Sequence, residues 1–166
     1  MIIEMDTREK AHATVLIKEA FTRAGIQFVS TKLYVADYRS LENPKFVIDR
    51  KRNLEEIYEN LCHGEVVENK VKTKKKRLKE EAKRAHELGI KMVVLCEHGG
   101  SIKCLDDVKS WSNPRLKISP YAWDGNKLYR EMLKFAKEYD IDFVFCSKKQ
   151  TGRRIIELLE QGNAER

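Results

Sequence analysis

The sequence predicts an α/β domain in which a mixed central β-sheet is flanked by helices on both faces. Short apolar runs rich in β-branched and aromatic residues alternate with segments whose apolar residues recur every three or four positions. Three strand-like runs follow one another early in the chain and predict antiparallel pairing, whereas the later runs alternate with helices and predict parallel pairing. A length of 166 residues with 42% apolar residues fits a single domain over residues 1–166.

The first half of the chain contains the predicted antiparallel part of the sheet. Its strand-like runs are rich in β-branched and aromatic residues, and the Asn43-Pro44 pair marks a turn before the last of them. The predicted strands are residues 2–6, 26–30, 33–37 and 46–51. The predicted helices are residues 13–24, which Gly25 ends, and a segment that carries Leu54, Ile57, Tyr58 and Leu61.

The second half contains the predicted parallel part. The most apolar strand is predicted at residues 91–96, after a long helix at residues 71–88, and a last strand is predicted at residues 141–146. Thr151 is predicted to cap a final helix that runs through Leu159. The remaining predicted elements are a helix at residues 128–139 and a long loop at residues 99–124 with a short helix near residues 105–111.

The charge balance favours an anionic partner. Thirty-three Lys and Arg residues against 26 Asp and Glu residues give a net charge of +7, and nucleic acid is the commonest partner of such chains. The longest apolar run, residues 92–96, is far shorter than the roughly 20 residues that cross a bilayer, so we expect no membrane association. The charged N-terminus differs from a signal peptide, and four cysteines without CxxC spacing indicate free thiols. These features predict a cytoplasmic protein.

An acid and a lysine two residues apart mark the predicted strand 46–51. Alternate residues of a strand share a face, so Asp49 and Lys51 project side by side and Arg50 projects from the opposite face. Asp37 precedes this strand, and antiparallel pairing would bring it to the same end of the sheet. Two carboxylates hold Mg²⁺ through oxygen ligands, and a lysine beside them stabilises charge on a phosphate. The alternative is a strand-edge salt bridge, although a carboxylate in an apolar strand is costly without a partner or a metal.

Three motifs in this order resemble those of a known family. Asp6-Thr7-Arg8-Glu9 resembles its D-x-R-E motif, Ala36-Asp37-Tyr38 its G-D-Y motif, and Asp49-Arg50-Lys51 with Glu55 its E-R-K-x-x-x-D motif. The family is the XPF-type nuclease domain of the PD-(D/E)XK, restriction-endonuclease-like superfamily. The resemblance covers roughly residues 2–160, and small stand-alone versions of the domain are typical of bacteria and phages.

The resemblance implies a metal-dependent DNA endonuclease that selects branched, flap or junction DNA in repair or recombination. Its catalytic residues would be Asp6, Asp37, Asp49 and Lys51. Its ligands for Mg²⁺ or Mn²⁺ would be Asp6, Asp37, Asp49 and Glu55, and Arg8 would contact nucleic acid. Family members often dimerise, so a homodimer is also implied.

The sequence departs from the family motifs at three positions. Ala36 stands where the family has Gly, Asp49 where it has Glu, and Glu55 where it has Asp. Both acid exchanges keep a carboxylate but move it by one methylene. The departures leave open an alternative: a catalytically silent domain of the same fold that binds nucleic acid or acts as a scaffold.

The predicted helix 71–88 carries a positively charged face. On an ideal helix Lys72, Lys76, Lys79 and Lys83 fall within about 60° of one another, and the apolar stripe lies elsewhere. We interpret this face, together with Arg77, as a track for DNA phosphates, while Arg77 and Glu81 are also spaced for an ion pair with each other. The alternative is an ordinary solvated helix face.

Other patterns carry less weight. The spacing of Cys62-His63, Cys96-Glu97-His98 and Cys104 matches no common zinc site. Trp111, Tyr121 and Trp123 either stack on unpaired bases or anchor their loop to the core, and we favour the anchor. Base-reading modules are not recognisable, which favours recognition of DNA by shape, with branched or partly single-stranded DNA as the expected partner.

Overall fold

The computed structural model describes residues 1–62 and 77–165, and in these residues six strands form one mixed sheet. The strands occur in the spatial order β2-β1-β3-β4-β5-β6. Their bounds are β1 Ile2–Asp6, β2 Gln27–Thr31, β3 Tyr38–Ser40, β4 Phe46–Lys51, β5 Lys91–Glu97 and β6 Ile141–Cys146. The predicted mixed α/β architecture is therefore confirmed.

The pairing agrees with the prediction for β3 and β4, which are antiparallel, but differs for β2. That strand pairs in parallel with β1, because the helix between them, Val15–Arg23, connects the two strands as a crossover. The central strand β3 runs antiparallel to both neighbours, with Met5 opposite Tyr38 and Tyr38 opposite Ile48. The other three pairs, β1 with β2, β4 with β5 and β5 with β6, are parallel. Because β3 runs against β1 and β4, its first residue lies beside the last residues of both.

Helices cover both faces of this sheet. In the described residues the α-helices are α1 Val15–Arg23, α2 Leu54–Leu61, α3 Arg77–Glu87, α4 Gly125–Tyr139 and α5 Thr151–Ala164. Short 3₁₀ helices are found at Ala11–Ala13, Leu105–Ser110, Pro114–Lys117 and Lys148–Gln150. None of the helices in residues 1–62 and 77–165 has the length and apolarity needed to span a membrane.

Strand β4 contributes alternate residues to two separate cores. Val47 packs with residues of α2, α3 and α4 on one face, including Ile57, Leu78 and Leu128. Ile48 packs with residues of α1 and α5 on the other face. The period-two alternation predicted for this strand therefore places Asp49 and Lys51 on the face of α2, α3 and α4 and Arg50 on the opposite face.

The segment before Tyr38 differs from its prediction. Residues 33–37 were predicted as a strand, but they form bends, and β3 begins only at Tyr38. The physical reason is a left-handed residue: Ala36 has a φ of 62°, which turns the chain sharply just before Asp37. Glycine adopts this conformation without a Cβ penalty, so the structure explains the glycine of the matching motif.

The C-terminal helix also differs in detail. Thr151 does not cap it: its hydroxyl donates a hydrogen bond to Glu97 Oε1 at 2.8 Å, and a 3₁₀ turn with Ser147 at its start precedes the helix. The helix continues beyond the predicted end at Leu159, to Ala164. Of the predicted helix 71–88, residues 77–87 are helical, and residues 71–76 lie outside the described residues.

Trp111 and Trp123 anchor the long loop, as predicted, but the same prediction is wrong for Tyr121, which is 76% exposed. Trp111 and Trp123 are partly buried against the core beside α4, and Trp123 packs edge-on against Tyr58 with ring centroids 5.7 Å apart. Gly125 permits the close approach of loop and helix, because a Cβ there would lie 2.4 Å from the carbonyl oxygen of Val108.

Candidate active site

The ends of three strands bring the predicted acidic residues to one edge of the sheet. The Asp6 N–H donates to the Asp37 carbonyl oxygen at 2.8 Å, and the Asp37 N–H donates to the Ile48 carbonyl oxygen at 3.0 Å. Asp37 therefore lies between the last residue of β1 and the last residues of β4. The structure brings together Asp37, Asp49 and Lys51 as the sequence predicts.

These three side chains are buried. Asp37 Oδ2 accepts a hydrogen bond from the backbone N–H of Arg50 at 2.8 Å, which fixes the carboxylate against β4. Asp49 is only 1% exposed, and its Oδ2 lies 2.5 Å from Lys51 Nζ. The Lys51 ammonium is thus the buried ion-pair partner of this oxygen.

The two carboxyl groups destabilise each other's charged form. Burial raises the pKa of Asp37 well above its usual value, and the charge of Asp49 raises it further. Burial also raises the pKa of Asp49, to about 6, although Lys51 acts against this shift and Glu81 adds to it. Lys51 loses hydration, but the charges of Asp49 and Asp37 outweigh that loss and raise its pKa to about 12. The acids thus carry more negative charge than Lys51 compensates.

The donor set fits a divalent cation. In the described part of the chain, the buried oxygen Glu81 Oε2 has no hydrogen-bond donor, and Asp49 Oδ2 has only the Lys51 ammonium, 2.5 Å away. Carboxylate oxygens are the ligands that Mg²⁺ and Mn²⁺ prefer, and a buried carboxylate without a donor is costly until a cation or a proton satisfies it. Within residues 1–62 and 77–165, no three His, Cys, Asp or Glu side chains are already gathered as a metal site. A cation would therefore draw these oxygens closer together.

Asp6 lies beside this cluster but is occupied by other partners. Its Oδ1 accepts from Arg8 Nε at 2.7 Å, and its Oδ2 accepts from Arg8 Nη2 at 2.8 Å and from the Leu33 N–H at 2.9 Å. Burial acts to raise the pKa of Asp6, but these hydrogen bonds outweigh it and hold the pKa below its usual value. The geometry therefore differs from the predicted role as a metal ligand and shows a carboxylate that positions Arg8.

Glu55 is likewise not brought to the acidic cluster. Asn53 caps α2 by accepting from the Glu56 N–H, and the resulting helix directs Glu55 to the surface, where Arg115 Nε donates to it at 3.0 Å. Glu56 instead faces the cleft and its charge acts on Lys51. The predicted metal role of Glu55 is therefore at odds with its position, and the carboxylate of α2 nearest the cluster is Glu56.

An open cleft of about 870 Å³ lies above the cluster. Asp37, Asp49 and Lys51 are part of its lining, and its walls come from the β1–α1 connection, α2, the start of α3 and the loop after Pro114–Lys117. Its cationic lining residues besides Lys51 are Arg8, Lys10, Arg50, Arg52, Arg77 and Arg115. On the loop wall, Ile118 and Tyr121 are among the most exposed large side chains of the described protein.

The predicted basic helix face reaches the cleft only in part. Arg8 and Arg77 line the cleft. Lys79 lines a separate, smaller depression beside Trp123, and Lys83 is exposed and lies 3.8 Å from Glu87. Lys72 and Lys76 fall outside the described residues, so their predicted role stays a prediction.

The opposite face of β4 holds a closed ionic network. Arg50 Nε donates to Glu9 Oε2 at 2.8 Å, and Arg50 Nη1 donates to Glu97 Oε2 at 3.1 Å. The Tyr38 hydroxyl donates to Glu9 at 2.9 Å, and Thr151 donates to Glu97. This network ties β4 to β3, β5, α5 and the start of the β1–α1 connection.

Sequence analysis missed the position of Glu81. The predicted ion pair of Arg77 with Glu81 is present, with Arg77 Nε 3.4 Å from Glu81 Oε1, but the Glu81 side chain is also buried beside Asp49, which was not predicted. A signal was present, because position 81 falls on the same helix face as Leu78, Ala82 and Ala85, which are all buried. A carboxylate within an apolar stripe is unusual and points to a partner or a ligand.

Two solved structures share this architecture. The chain is similar to XPF from Aeropyrum pernix, with a TM-score of 0.66 and 20% sequence identity over 98% of this chain and 65% of that chain. It is also similar to XPF from Aeropyrum pernix in complex with DNA, with a TM-score of 0.63 and 19% identity over 99% of this chain and 66% of that chain. The chain thus spans just under two thirds of each.

Sequence comparison adds nothing to the structural likeness. No protein-family model matches the chain. No curated protein matches it either. The strand order and the two structural matches nevertheless agree with the motifs in the sequence, and the chain has the XPF-type, restriction-endonuclease-like nuclease fold.

Proposed function

We propose that the protein is a divalent-metal-dependent endonuclease that hydrolyses DNA phosphodiester bonds. The observation that carries this proposal is the buried group Asp37, Asp49 and Lys51 at the floor of an open, cation-lined cleft. A structural ion pair would not need a cleft, and a simple DNA-binding surface would not need two buried carboxylates with raised pKa values. The nuclease fold of the chain supports the same reading.

Asp37 and Asp49 are the residues that would hold Mg²⁺ or Mn²⁺. When bound there, the cation supplies charge that polarises a phosphate and lowers the pKa of a water molecule. The Arg50 N–H donates to Asp37 Oδ2, so the backbone of β4, and not a flexible side chain, orients the Asp37 carboxylate. Lys51 is kept protonated by the two acids and donates to an oxygen of the attacked phosphate, where negative charge develops.

Asp6 and Glu55 take positioning roles in this proposal. Asp6 accepts two hydrogen bonds from the Arg8 guanidinium and so orients it in the cleft, where it can contact a neighbouring phosphate. Glu55 and Glu59 bind Arg115 and fix the loop wall of the cleft against α2. Lys10, Arg52 and Arg77 provide further phosphate contacts at the rim.

The proposed substrate is DNA that is branched or partly single-stranded, in repair or recombination. Phosphate-directed cations dominate the cleft, and recognisable base-reading elements are not part of the described fold, so recognition by shape is favoured. One similar structure is a complex with DNA, which supports a DNA partner for this fold. A cytoplasmic location and a homodimer remain predictions of the sequence and its resemblance.

Cleavage assays test this proposal directly. Labelled duplex, single-stranded and forked DNA would be incubated with the protein and Mg²⁺ or Mn²⁺, beside Asp49→Asn, Lys51→Ala and an EDTA control. Glu80→Gln, at an exposed position of α3, is the control variant. We expect metal-dependent cleavage that both site variants lose and the control keeps. Cleavage that persists in both site variants would contradict the proposal.

A second candidate function is a silent DNA-binding domain of the same fold. It is favoured by the absence, within the described residues, of three acidic or imidazole side chains already gathered as a metal site. This candidate predicts salt-dependent DNA binding without cleavage in either metal, and the same assay distinguishes it.

A further inference from the structure

Glu81 is a buried acid that the proposed reaction does not use. It lies in the second turn of α3 and is 1% exposed, between the apolar residues Leu78 and Ala82 that pack against the sheet. The helix thus directs a carboxylate into the core beneath the cleft. A carboxylate in such a place requires compensation, because its hydration is lost.

The carboxylate of Glu81 reaches Asp49. The two carboxyl groups are within hydrogen-bonding distance of each other, on facing elements α3 and β4. Glu81 Oε2 is buried and no donor in the described residues satisfies it, whereas Asp49 Oδ2 has the Lys51 ammonium 2.5 Å away. Adjacent buried carboxylates with an unsatisfied oxygen are an arrangement that a shared cation satisfies.

Nearby arginines compensate Glu81 only weakly. Arg77 Nε lies 3.4 Å from Glu81 Oε1 and Arg8 Nη1 lies 3.9 Å from it, beyond the 2.7–2.9 Å of a good charge-assisted hydrogen bond. Arg8 is already committed to Asp6 through two hydrogen bonds, and half of the Arg77 side chain is exposed. Both cations approach Oε1, so neither satisfies the buried oxygen Oε2.

The local charge fits one divalent cation. Asp37, Asp49 and Glu81 would contribute three negative charges when ionised, and Lys51 contributes one positive charge. Two negative charges remain, which equals the charge of Mg²⁺ or Mn²⁺. The repulsion among these acids is relieved when the cation is bound and is unfavourable without it.

We propose that Glu81 of α3 is a further carboxylate ligand of the divalent cation, shared with Asp49. This inference rests on the proposed function, because it concerns the same cation. It differs from the ligand set implied by the sequence motifs, since it replaces Glu55 of α2 with an acid from another helix. The metal would then tie α3 to β4, in addition to its part in chemistry.

Mn²⁺ binding without DNA tests the inference. The affinity of wild-type protein, Glu81→Gln and Glu80→Gln for Mn²⁺ would be measured by electron paramagnetic resonance of free Mn²⁺, with thermal unfolding in the presence and absence of Mn²⁺. We expect Glu81→Gln to weaken binding by about tenfold or more, because affinity follows the number of charged ligands. Glu80→Gln, at an exposed position of the same helix, should bind as the wild type does.

Unfolding without metal distinguishes a ligand from a structural acid. Glu81→Gln removes one of two adjacent buried acids and supplies an amide donor to Asp49. We therefore expect the midpoint of its thermal unfolding without metal to be higher than that of the wild type. Glu81→Asp keeps the charge and should retain more Mn²⁺ affinity than Glu81→Gln.

Two results would overturn the inference. Wild-type binding of Mn²⁺ that is unchanged in Glu81→Gln would show that Glu81 is not a ligand, and would leave the proposed function intact. A wild-type protein that binds no Mn²⁺ would overturn both the inference and the metal requirement of the proposed function.

Discussion

The two faces of β4 near its C-terminal end carry opposite kinds of polar cluster. On one face Arg50 contacts Glu9 and Glu97, and on the other face Asp49 and Lys51 contact each other beside Asp37. Both clusters are buried and both lie within three consecutive residues of one strand. They differ in how completely their hydrogen-bonding groups are satisfied.

The Arg50 cluster is closed. Its arginine is shared by two carboxylates, and those carboxylates accept further hydrogen bonds from Tyr38 and Thr151. The Asp49 cluster is open, because Glu81 Oε2 has no donor in the described residues and Asp49 Oδ2 has only the Lys51 ammonium, although both clusters contribute residues to the lining of the cleft. A buried network that is fully satisfied rigidifies a structure, whereas an unsatisfied one is a candidate for a catalytic role. The comparison therefore favours a structural role for one face and chemistry for the other.

The largest expected effect is loss of cleavage on the open face. We expect Lys51→Ala to lower the cleavage rate by about 100-fold to 1000-fold, because a charged donor to the developing phosphate charge is removed. DNA affinity should change little, since the cations of the cleft rim remain. Single-turnover assays would measure the cleavage rate, and filter binding would measure the DNA affinity. Equal losses of cleavage rate and DNA affinity would show that Lys51 acts as a DNA-binding cation like those of the rim.

The next effect is a loss of stability on the closed face. Arg50→Met should lower the free energy of unfolding by about 3–5 kcal/mol, because Glu9 and Glu97 are left buried without their cation. Urea unfolding measures this change. Arg39→Ala, which breaks a partly exposed pair with Glu4, is the matched control and should cost about 1 kcal/mol or less. Equal costs for the two variants would contradict the closed network.

A smaller effect is expected at the turn that carries Asp37 into the open cluster. Ala36 is buried with a φ of 62°, so Ala36→Val should lower the free energy of unfolding by about 3 kcal/mol through strain and overpacking. Ala36→Gly relieves the strain but loses a buried methyl group, and the two terms should cancel to within about 1 kcal/mol. Chemical unfolding measures the free energies of unfolding of the two variants. Equal values for Ala36→Val and Ala36→Gly would contradict a left-handed turn at this position.

The smallest effect concerns DNA binding at the rim of the open face. Arg77→Ala should weaken DNA binding, because Arg77 lines the cleft. The slope of log affinity against log salt concentration should become smaller in magnitude by about one. Lys83 lies near Glu87 and is not among the cleft-lining residues in the described part of the chain, so Lys83→Ala is the control. Salt titrations of binding measure both. A larger change in slope for Lys83→Ala would favour the predicted lysine track over the cleft.

The sequence predicted the fold and the centre of the candidate site because both depend on local patterns. Period-two alternation placed Asp49 and Lys51 on one face of β4 and Arg50 on the other. The antiparallel pairing predicted for the segment before β4 brought Asp37 to the end of that strand, whereas β2 was wrongly predicted to join this antiparallel part and instead pairs in parallel with β1. The confirmed mixed α/β architecture follows from spacing, and its restriction-endonuclease-like type follows from the resemblance of the motifs.

Other features depend on contacts between distant segments. The segment 33–37 has strand composition, yet Ala36 takes a left-handed conformation that composition does not reveal. Asp6 has the residue type of a metal ligand, but Arg8 and Leu33 occupy it. Motif spacing selected Glu55, whereas the rotation of α2 turns it away and α3 supplies Glu81 instead. Tertiary packing, and not local sequence, determines these conformations and side-chain positions.

The central claim is that the face of β4 with Asp49 and Lys51 carries the chemistry. The most direct test compares wild-type protein with Asp49→Asn in metal-dependent cleavage of forked DNA and in unfolding. The substitution keeps the size of the side chain, and it removes a charge from the cluster that already has too much negative charge. We expect Asp49→Asn to lose cleavage while its stability without metal is equal to or higher than that of the wild type. Cleavage at the wild-type rate, or a loss of stability as large as that of Arg50→Met, would contradict the assignment of chemistry to this face.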